Sequence, residues 1–310
     1  MHEMPDTLRR KAEEQAAGMD RNRIRKAVGN VSESYRRDIG KGKRLVTEKA
    51  DVVAYAVTRM PATYGAVHFA VTEMLKNTDL LPATMVDCGA GTGAAALACA
   101  DVLPLQQIRC LEREAVMRQV GENLTAGLPA VWESVDLTGV RELPGADLVC
   151  ASYLLGEMKP EEQRMLAIRM WKACRLLLLI EPGTVQGFQN LKAVRSVLEE
   201  QGAKVLAPCP AQATCRENWC HFAVRVPRTR LHRQMKGEVP YEDEKFAYLA
   251  FGPAWGHTEA RIVRHPVTES GRITLSLCTQ AGTEERVVTK KDPLWKRVRK
   301  VSWGESLDIE

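Results

Sequence analysis

Three cysteines lie close together in a proline-containing segment, and their thiols are the strongest candidates for metal binding in this sequence. Cys209, Cys215 and Cys220 are separated by five and then four residues, and a proline follows Cys209 directly. A tetrahedral thiolate site needs a fourth ligand. Cys278 is the only cysteine after this group in the sequence, which makes it the predicted fourth ligand. A site on these four residues would attach the segment to the C-terminal part of the chain.

Zinc and a [4Fe-4S] cluster both accept four thiolates. Structural zinc favours closely spaced Cys-x-x-Cys pairs, which this sequence lacks, so the wider spacing and the Cys-Pro step favour the cluster. Zinc and a metal-free segment stay open as alternatives, and His221 is an alternative to one thiolate. The remaining cysteines lie in apolar segments and are interpreted as small buried side chains, namely Cys88, Cys99, Cys110, Cys150 and Cys174.

A glycine-rich loop is the second group of residues that could do chemistry. Asp87 precedes Gly89, Gly91 and Gly93 in a D-x-G-x-G-x-G pattern, between an apolar segment and an alanine-rich one. Glycines let the backbone turn sharply and approach a ligand, and the start of the following helix offers free N–H groups. The pattern differs from the dinucleotide fingerprint G-x-G-x-x-G. It resembles motif I of the class I S-adenosylmethionine-dependent methyltransferases, and this resemblance implies S-adenosylmethionine as the cofactor.

Two further carboxylates follow the loop. Glu112 lies at the end of the second predicted strand, where a carboxylate accepts hydrogen bonds from ribose hydroxyls in nucleotide-binding sheets of this kind. Asp136 follows the third predicted strand and could lie near the adenine, although a plain surface role is the stronger interpretation. The predicted cofactor-binding residues are therefore Asp87, Gly89, Gly91, Gly93 and Glu112.

The sequence assigns no catalytic residue. Methyltransferases that act on exocyclic amines commonly carry an Asn/Asp-Pro-Pro-aromatic motif after the fourth strand, whereas residues 150–157 read Cys-Ala-Ser-Tyr-Leu-Leu-Gly-Glu. Cys150 follows Leu and Val in an apolar strand, which favours core packing over a nucleophilic role. Glu157 and Glu181 lie near the ends of predicted strands, but neither has a partner that gives it a chemical role.

From residue 84 onward, short apolar segments alternate with helical patterns, which predicts a parallel sheet covered by helices on both faces. The predicted strands span residues 84–88, 107–112, 130–135, 146–152, 175–181, 204–207 and 245–251. The predicted helices between them span residues 93–103, 114–124, 160–174 and 186–201. The fold class is therefore α/β, with a Rossmann-like sheet that positions the glycine loop and Glu112 at one edge.

The pattern divides the chain into a helical N-terminal region at 1–80, a Rossmann-like methyltransferase domain at 81–251 and a small β-rich appendage at 252–310. The domain contains the cysteine-bearing insert at about 208–244. Within the appendage, residues 261–263, 273–278 and 286–288 are predicted strands.

Composition and charge restrict the function. The chain has 310 residues, of which 45% are hydrophobic and 27% charged, and no segment reaches the roughly 18 consecutive apolar residues of a membrane span. The N-terminus lacks an apolar signal core, so we expect a cytoplasmic protein with reduced cysteines.

Two segments of the sequence are strongly basic. Residues 225–236 hold five Arg or Lys and no acid, and residues 286–300 hold seven against one Asp. Either run could be a solvated face, but two runs near the cysteines favour RNA as the partner.

Over nearly its whole length the chain resembles the methyltransferase-like assembly factors of the mitochondrial small ribosomal subunit and their bacterial relatives. The resemblance rests on the blocks at 54–55, 59–64, 86–93, 151–157, 181–184, 209–222, 244–249 and 302–304. It implies a Rossmann-like methyltransferase fold, binding to small-subunit rRNA during assembly, and a [4Fe-4S] cluster. The resemblance also implies that the ligands of this cluster are Cys209, Cys215, Cys220 and Cys278.

Two functions fit these residues. The first is a binding module, an assembly factor that docks on rRNA as a free monomer and uses the cofactor pocket and the cluster structurally. The second is an active S-adenosylmethionine-dependent rRNA methyltransferase. The missing Pro-Pro element favours the first function, and the intact glycine loop with Glu112 favours the second. A zinc-containing RNA-binding protein of the same fold is a further alternative.

Overall fold

The computed structural model describes residues 2–20, 22–29, 48–210, 212–236 and 239–309. Its N-terminal part is helical, with α1 (Asp6–Glu14), α2 (22–29), α3 (Lys49–Thr58) and α4 (Met60–Leu75). Most side chains of α4 are buried on every side, as expected of a helix that is apolar all round. Residues 30–47, which also belong to the predicted helical region, lie outside the described part of the chain.

The central sheet confirms the predicted α/β class and its Rossmann-like methyltransferase architecture. Seven strands follow the order β3-β2-β1-β4-β5-β8-β6, and β7 pairs with β8. The strands are β1 (Thr84–Cys88), β2 (Gln107–Leu111), β3 (Ala130–Glu133), β4 (Ala146–Ser152), β5 (Cys174–Pro182), β6 (Lys204–Ala207), β7 (Phe222–Pro227) and β8 (Tyr241–Gly252). β1 to β5 are parallel, and the chain order reverses between β1 and β4, the place where sheets of this type bind ligands.

Helices cover both faces of this sheet. They are α5 (Ala94–Ala100), α6 (Ala115–Leu124), the 3₁₀ turn η1 (Leu155–Glu157), α7 (Pro160–Lys172) and α8 (Val185–Glu200). One apolar cluster joins α4 and α5 to one face, and a second joins α7 and α8 to the other. Each predicted strand and helix of the sheet domain is present, with end points that differ by a few residues.

The segment 208–244 contains more regular structure than its sequence suggested. Its sequence predicts no strand before residue 245, whereas β7 pairs antiparallel with β8 over six residue pairs, from Phe222–Phe246 to Pro227–Tyr241. Helix α9 (Arg230–Lys236) follows β7. The apolar side chains of β7 alternate into the main core, so packing as well as any ligation orders this segment.

A second, smaller sheet forms the C-terminal appendage. It contains β9 (Ala260–Ile262), β10 (Val267–Glu269), β11 (Arg272–Thr279), β12 (Gly282–Thr289) and β13 (Ser306–Leu307), together with the short helix α10 (Trp295–Val298). Along β11, residues 273, 275, 277 and 279 are buried, while the alternate residues are partly exposed. The appendage therefore has its own core and turns Cys278 away from it.

A buried polar network joins this appendage to α4 and to the end of β6. Arg261 forms an ion pair with Glu73, and their side chains are 0% and 2% exposed. Arg261 also donates to the carbonyls of Pro208 and Gly304, both at 2.8 Å. Within the described residues, no helix is long and apolar enough to cross a membrane.

Candidate cofactor, cysteine and RNA sites

The glycine loop lies at the carboxyl edge of the sheet, between β1 and α5. Gly89, Gly91 and Gly93 all have positive φ, at 70°, 56° and 84°, which glycine adopts without steric cost. Their surroundings differ, however. A Cβ on Gly89 would lie 2.9 Å from Leu154, and one on Gly93 would lie 2.7 Å from Thr125, whereas nothing lies within 4 Å of a Cβ on Gly91. Only Gly91 therefore faces open space, while the other two permit close packing of side chains.

Asp87 is fully buried at the end of β1. Neither carboxyl oxygen has a hydrogen-bond partner that meets standard geometry among the described residues. The pKa of Asp87 is raised from 3.8 to about 7, chiefly by burial, with an opposing contribution from the backbone N–H of Ala96 and a smaller increase from the carboxylate of Glu112. A buried, unpartnered carboxyl group is costly, so this residue marks a place where a hydrogen-bonding or cationic ligand would be stabilising.

Glu112 directly follows β2 and reaches the same loop. Its carboxylate accepts hydrogen bonds from the backbone N–H of Gly91 at 2.9 Å and of Glu114 at 2.7 Å. A carboxylate has about four acceptor positions, so two remain for another donor. Asp136 lies apart from this group, because it is exposed and accepts hydrogen bonds from Thr138 in its own turn.

The end of β4, where the sequence assigned no catalytic motif, is occupied by a polar network. Tyr153 has a φ of 58°, an uncommon value for a residue with a side chain. Its hydroxyl donates to Glu244 at 2.7 Å. The same carboxylate accepts from Arg59 at 3.0 and 3.2 Å, which links the junction of α3 and α4 and the residue after β4 to β8. Sequence analysis missed this network, although its members lie in three of the blocks that carry the family resemblance.

Glu181 gains a structural role from the fold. It is 1% exposed, and its carboxylate accepts hydrogen bonds from the backbone N–H groups of Leu155 at 2.9 Å and Gly156 at 3.0 Å. Burial raises its pKa to about 8, and that of Glu157 to about 7. Glu181 thus fastens the η1 turn to the end of β5.

The cysteines divide into two groups, as their sequence context predicted. Four of the five cysteines interpreted as core residues are buried, and the fifth, Cys174, is half-buried, with its thiol donating to the carbonyl of Met170 at 3.1 Å. The other group lines one cavity of about 320 Å³ beneath the appendage and comprises Cys209, Cys215, Cys220 and Cys278. The fold therefore brings Cys278 to the other three across a gap of 58 residues (278 − 220).

The thiols of this cavity are largely buried, and three cations and three carboxylates also line it, namely Lys192, Arg195, Arg264, Glu217, Glu284 and Glu285. Burial raises the pKa of Cys209, Cys220 and Cys278, and the neighbouring thiols raise it further. Arg195 opposes the shift at Cys209, where its guanidinium lies 3.5 Å from the sulfur atom. Among the residues described, no group of three or more His, Cys, Asp or Glu side chains could hold a single metal ion.

His221 does not line this cavity. Its ring stacks on Trp219, with centroids 4.3 Å apart, and contacts the edge of Trp303 at 5.2 Å. Successive residues of an extended chain point to opposite sides, so His221 points away from the side of Cys220 and Phe222, and the tryptophan rings leave it only 6% exposed. This arrangement disfavours His221 as a replacement for one of the thiolates.

The two basic runs differ in how their charges are compensated. In the run 225–236, Arg225 makes a bidentate pair with Asp243 at 2.8 and 2.9 Å, and Arg228 lies 3.5 Å from Glu242. In the run 286–300, Arg297 pairs with an acid, Asp308. In this second run, the exposed cations with no ion-pair partner among the described residues are Lys290, Lys291, Lys296, Arg299 and Lys300, whereas in the first run they are Arg230 and Arg233. The second run therefore keeps more uncompensated charge.

Comparison with known proteins gives one family and several structures. The model of the family described as mitochondrial small ribosomal subunit Rsm22 matches residues 49–308. A search of the curated proteins by sequence finds no match.

Three solved structures illustrate the structural matches. The magnesium protoporphyrin IX methyltransferase of Synechocystis with bound SAH is 14% identical, with 72% of this chain and 94% of that chain covered and a TM-score of 0.41. The ribosomal protein L11 methylase of Lactobacillus delbrueckii is 13% identical, with 63% and 82% covered and a TM-score of 0.40. The precorrin-6y C5,15-methyltransferase of Geobacter metallireducens is 16% identical, with 59% and 84% covered and a TM-score of 0.39.

Proposed function

The chain belongs to the family of mitochondrial small ribosomal subunit Rsm22, and on this premise we propose that it is an rRNA-binding assembly factor of a small ribosomal subunit. The observation that favours binding over catalysis is the network at the end of β4. There the hydroxyl of Tyr153 is hydrogen-bonded to Glu244, and Glu244 forms an ion pair with Arg59. This position therefore presents neither a free carboxylate nor an amide to an acceptor amine. A group that positions the acceptor amine for methyl transfer would have to lie within reach of it.

The second candidate, an active rRNA methyltransferase, is favoured by the open backbone at Gly91. Mass spectrometry of small-subunit rRNA from a deletion strain separates the two functions. The assembly-factor function predicts an unchanged set of methylated nucleotides and an accumulation of immature small subunits. A single methyl mark that disappears on deletion, and returns with the wild-type gene, would establish the enzyme instead.

We propose S-adenosylmethionine as the ligand of the glycine loop. Three features of the loop fit it: the free space at Gly91, the unpartnered buried carboxyl of Asp87 and the remaining acceptor positions of Glu112. The ligand carries an ammonium and a sulfonium charge, which acidic groups stabilise, and ribose hydroxyls, which donate to carboxylates. We assign Asp87, Gly89, Gly91, Gly93 and Glu112 to this site, with Gly89 and Gly93 acting through packing.

Gly91→Val tests this assignment by calorimetry. The new side chain fills the open space and should abolish binding of S-adenosylmethionine. Gly271→Val is the matched control, because Gly271 also has a positive φ, at 85°, with nothing within 4 Å, but lies between β10 and β11. This variant introduces comparable backbone strain away from the glycine loop, so it should bind S-adenosylmethionine with the affinity of the wild type. Equal affinities of Gly91→Val and the wild type would show that S-adenosylmethionine does not bind at this loop.

We further propose that the four cysteines of the cavity hold a [4Fe-4S] cluster. Such a cluster takes one thiolate for each iron, so its ligands stand farther apart than the four ligands of one zinc ion. Four thiols line one cavity of about 320 Å³, which leaves room between them for a cluster. Arg195 beside Cys209 would stabilise a thiolate there.

Elemental analysis of anaerobically purified protein tests this proposal. We expect iron and acid-labile sulfide in equal amounts, and Cys278→Ser should lose most of both. Cys174→Ser is the control, since this half-buried thiol lies at the start of β5, outside the cavity, and should keep full iron. Stoichiometric zinc without sulfide would favour the zinc alternative. Full iron in Cys278→Ser would show that another group is the fourth ligand.

The exposed cations of the run 286–300 are the proposed phosphate contacts. Changing Lys290, Lys291, Lys296 and Arg299 to Gln should lower the slope of log affinity against log salt by roughly 0.7 for each lost contact on single-stranded RNA. A control variant neutralises four exposed cations on and beside α7, namely Lys159, Arg164, Lys172 and Arg175. The control should leave the slope unchanged. Equal slopes in both variants would make the run a solvated face.

A further inference from the structure

The outward face of β7 and β8 is an exposed strip with an aromatic ring at each end. On β8, Tyr241, Asp243 and Lys245 are exposed, while the residues between them are less exposed, as the period of a strand requires. Arg225 on β7 lies opposite Asp243. Its guanidinium also covers the ring of Tyr241, 4.0 Å from the centroid. We name this face, with the aromatic stack described next, the β7–β8 surface.

An aromatic stack continues the surface beyond the start of β7. His221 lies two residues before Ala223 and points to the same side of the chain, but it is only 6% exposed and lies beneath Trp219. Trp219 stacks on His221 with an angle of 13° between the rings, and Trp303 packs edge-on between His221 and His265. The side chain of Trp219 is 40% exposed, as is that of Tyr241.

Positive charge predominates on this surface. Lys245 and Arg264 are both exposed cations on the side of the chain where His221 lies. Asp243 is the one acid that faces outward from the described part of β8, and the paired Arg225 lowers its pKa, with smaller contributions from His265 and Lys245. The carboxylates of Glu242 and Glu244 belong to the opposite face, where they meet Arg228 and Arg59.

We propose that the β7–β8 surface binds unpaired RNA, with bases stacked on Tyr241 and Trp219 and phosphates on the cations between them. This inference rests on the proposed rRNA binding and assigns it a place and a kind of RNA. Sheet faces with exposed aromatic rings bind single strands in this way, because every base has a face that stacks on an aromatic ring or a guanidinium. In an A-form duplex the bases are stacked on one another, so no base face is free to stack on a protein side chain.

The surface thus differs in role from the basic run 286–300. That run has uncompensated cations and a single half-buried aromatic residue, Trp295, so it contacts phosphate in either kind of RNA. The β7–β8 surface combines exposed rings with fewer net charges. Selectivity for single strands should therefore come from the β7–β8 surface, and salt-dependent affinity mainly from the run.

Affinity for an oligouridine of about eight nucleotides tests the proposal, because single-strand sites on sheet folds span roughly 4–16 nucleotides. A duplex of the same length is the second probe. Tyr241→Ala should weaken binding of the single strand by about five- to a hundredfold, the range for loss of one stacked base, and should leave duplex binding unchanged. Tyr241→Phe, which keeps the ring, should bind as the wild type. Val131→Ala, an exposed residue on the distant strand β3, is the control.

Photocrosslinking of 5-iodouridine RNA, followed by peptide mass spectrometry, locates the contact independently of any variant. We expect crosslinks at Tyr241 and Trp219. Crosslinks confined to residues 286–300, or Tyr241→Ala with unchanged affinity for the single strand, would overturn this inference while leaving RNA binding intact. A wild-type protein that binds neither probe would instead refute the proposed rRNA binding itself.

Discussion

Glu73→Gln should be one of the most destabilising single substitutions in this chain, because it leaves a guanidinium buried without its counter-charge. The side chain of Arg261 is 0% exposed and lies among α4, the end of β6 and the C-terminal loop. Glu73 is its only carboxylate partner among the described residues. The two carbonyls that Arg261 also contacts satisfy its N–H groups but carry no net charge.

The magnitude follows from burial. Breaking a buried ion pair by removing one partner costs about 3–5 kcal/mol, against a total stability of about 5–15 kcal/mol for a domain. Lys76 also contacts Glu73, at 2.5 Å, but it is 49% exposed, and such pairs contribute about 0–1 kcal/mol. The loss should therefore come almost wholly from Arg261. The appendage and Cys278 should loosen with it, because Arg261 is on β9 and β9 pairs with β11.

Urea unfolding and limited proteolysis measure this effect. Glu269→Gln is the matched control, since it breaks an exposed pair with Arg272 in the same appendage, with side chains 57% and 48% exposed. The control should unfold at nearly the urea concentration of the wild type, because solvent screens an exposed pair of this kind. We expect Glu73→Gln to expose the C-terminal third to protease and to retain less iron. If both variants unfold at the same urea concentration, the buried pair does not join the appendage to α4.

Three further predictions concern single sites. The pKa of Asp87 is about 7 in the folded protein and 3.8 in the reference state, so the folded protein binds more protons between these values. Its stability should then fall as pH rises from about 4 to 7, and Asp87→Asn should reduce this fall in chemical unfolding measured across that range. The hydroxyl of Tyr248 is buried without a hydrogen-bond partner among the described residues. Tyr248→Phe should therefore raise the stability of the metal-free protein by about 1 kcal/mol in thermal unfolding. A loss of stability in this variant would show that the hydroxyl has a partner. Gly121→Ala should destabilise by about 1–3 kcal/mol, because its Cβ would lie 2.1 Å from Trp132, whereas helix propensity alone predicts a gain.

Much of the sheet could be predicted because its signals are local. The predicted limits of three strands agree with the structure, namely those of β1, β4 and β6, since each is a short apolar segment bounded by turn residues. Strand β7 was missed, because its sequence contains Arg225 and ends at Pro227, and its pairing with β8 depends on residues 14 to 24 positions away (241 − 227 and 246 − 222). The limits of 80 and 251 for the central domain stay a prediction.

Side-chain networks were beyond the reach of a single sequence. Nothing in the order of residues links Arg59 to Glu244, or Glu73 to Arg261, since these pairs are 185 and 188 residues apart. The same holds within the glycine loop. Its pattern marks three backbone positions as special, but only the fold shows that Gly89 packs against Leu154 while Gly91 faces open space.

The cysteines show which features of the candidate metal site depend on the local sequence and which depend on the fold. Spacing and chemistry alone separated the candidate ligands from the five core cysteines, because apolar periodicity is a property of the local sequence. Which side of the appendage Cys278 faces was decided by the register of β11, in which the odd-numbered residues from 273 to 279 fill the appendage core. A shift of one residue would have turned the thiol into that core and away from the cavity. The sequence therefore identified four candidate metal ligands, which stay a prediction, and the tertiary structure placed their side chains around one cavity.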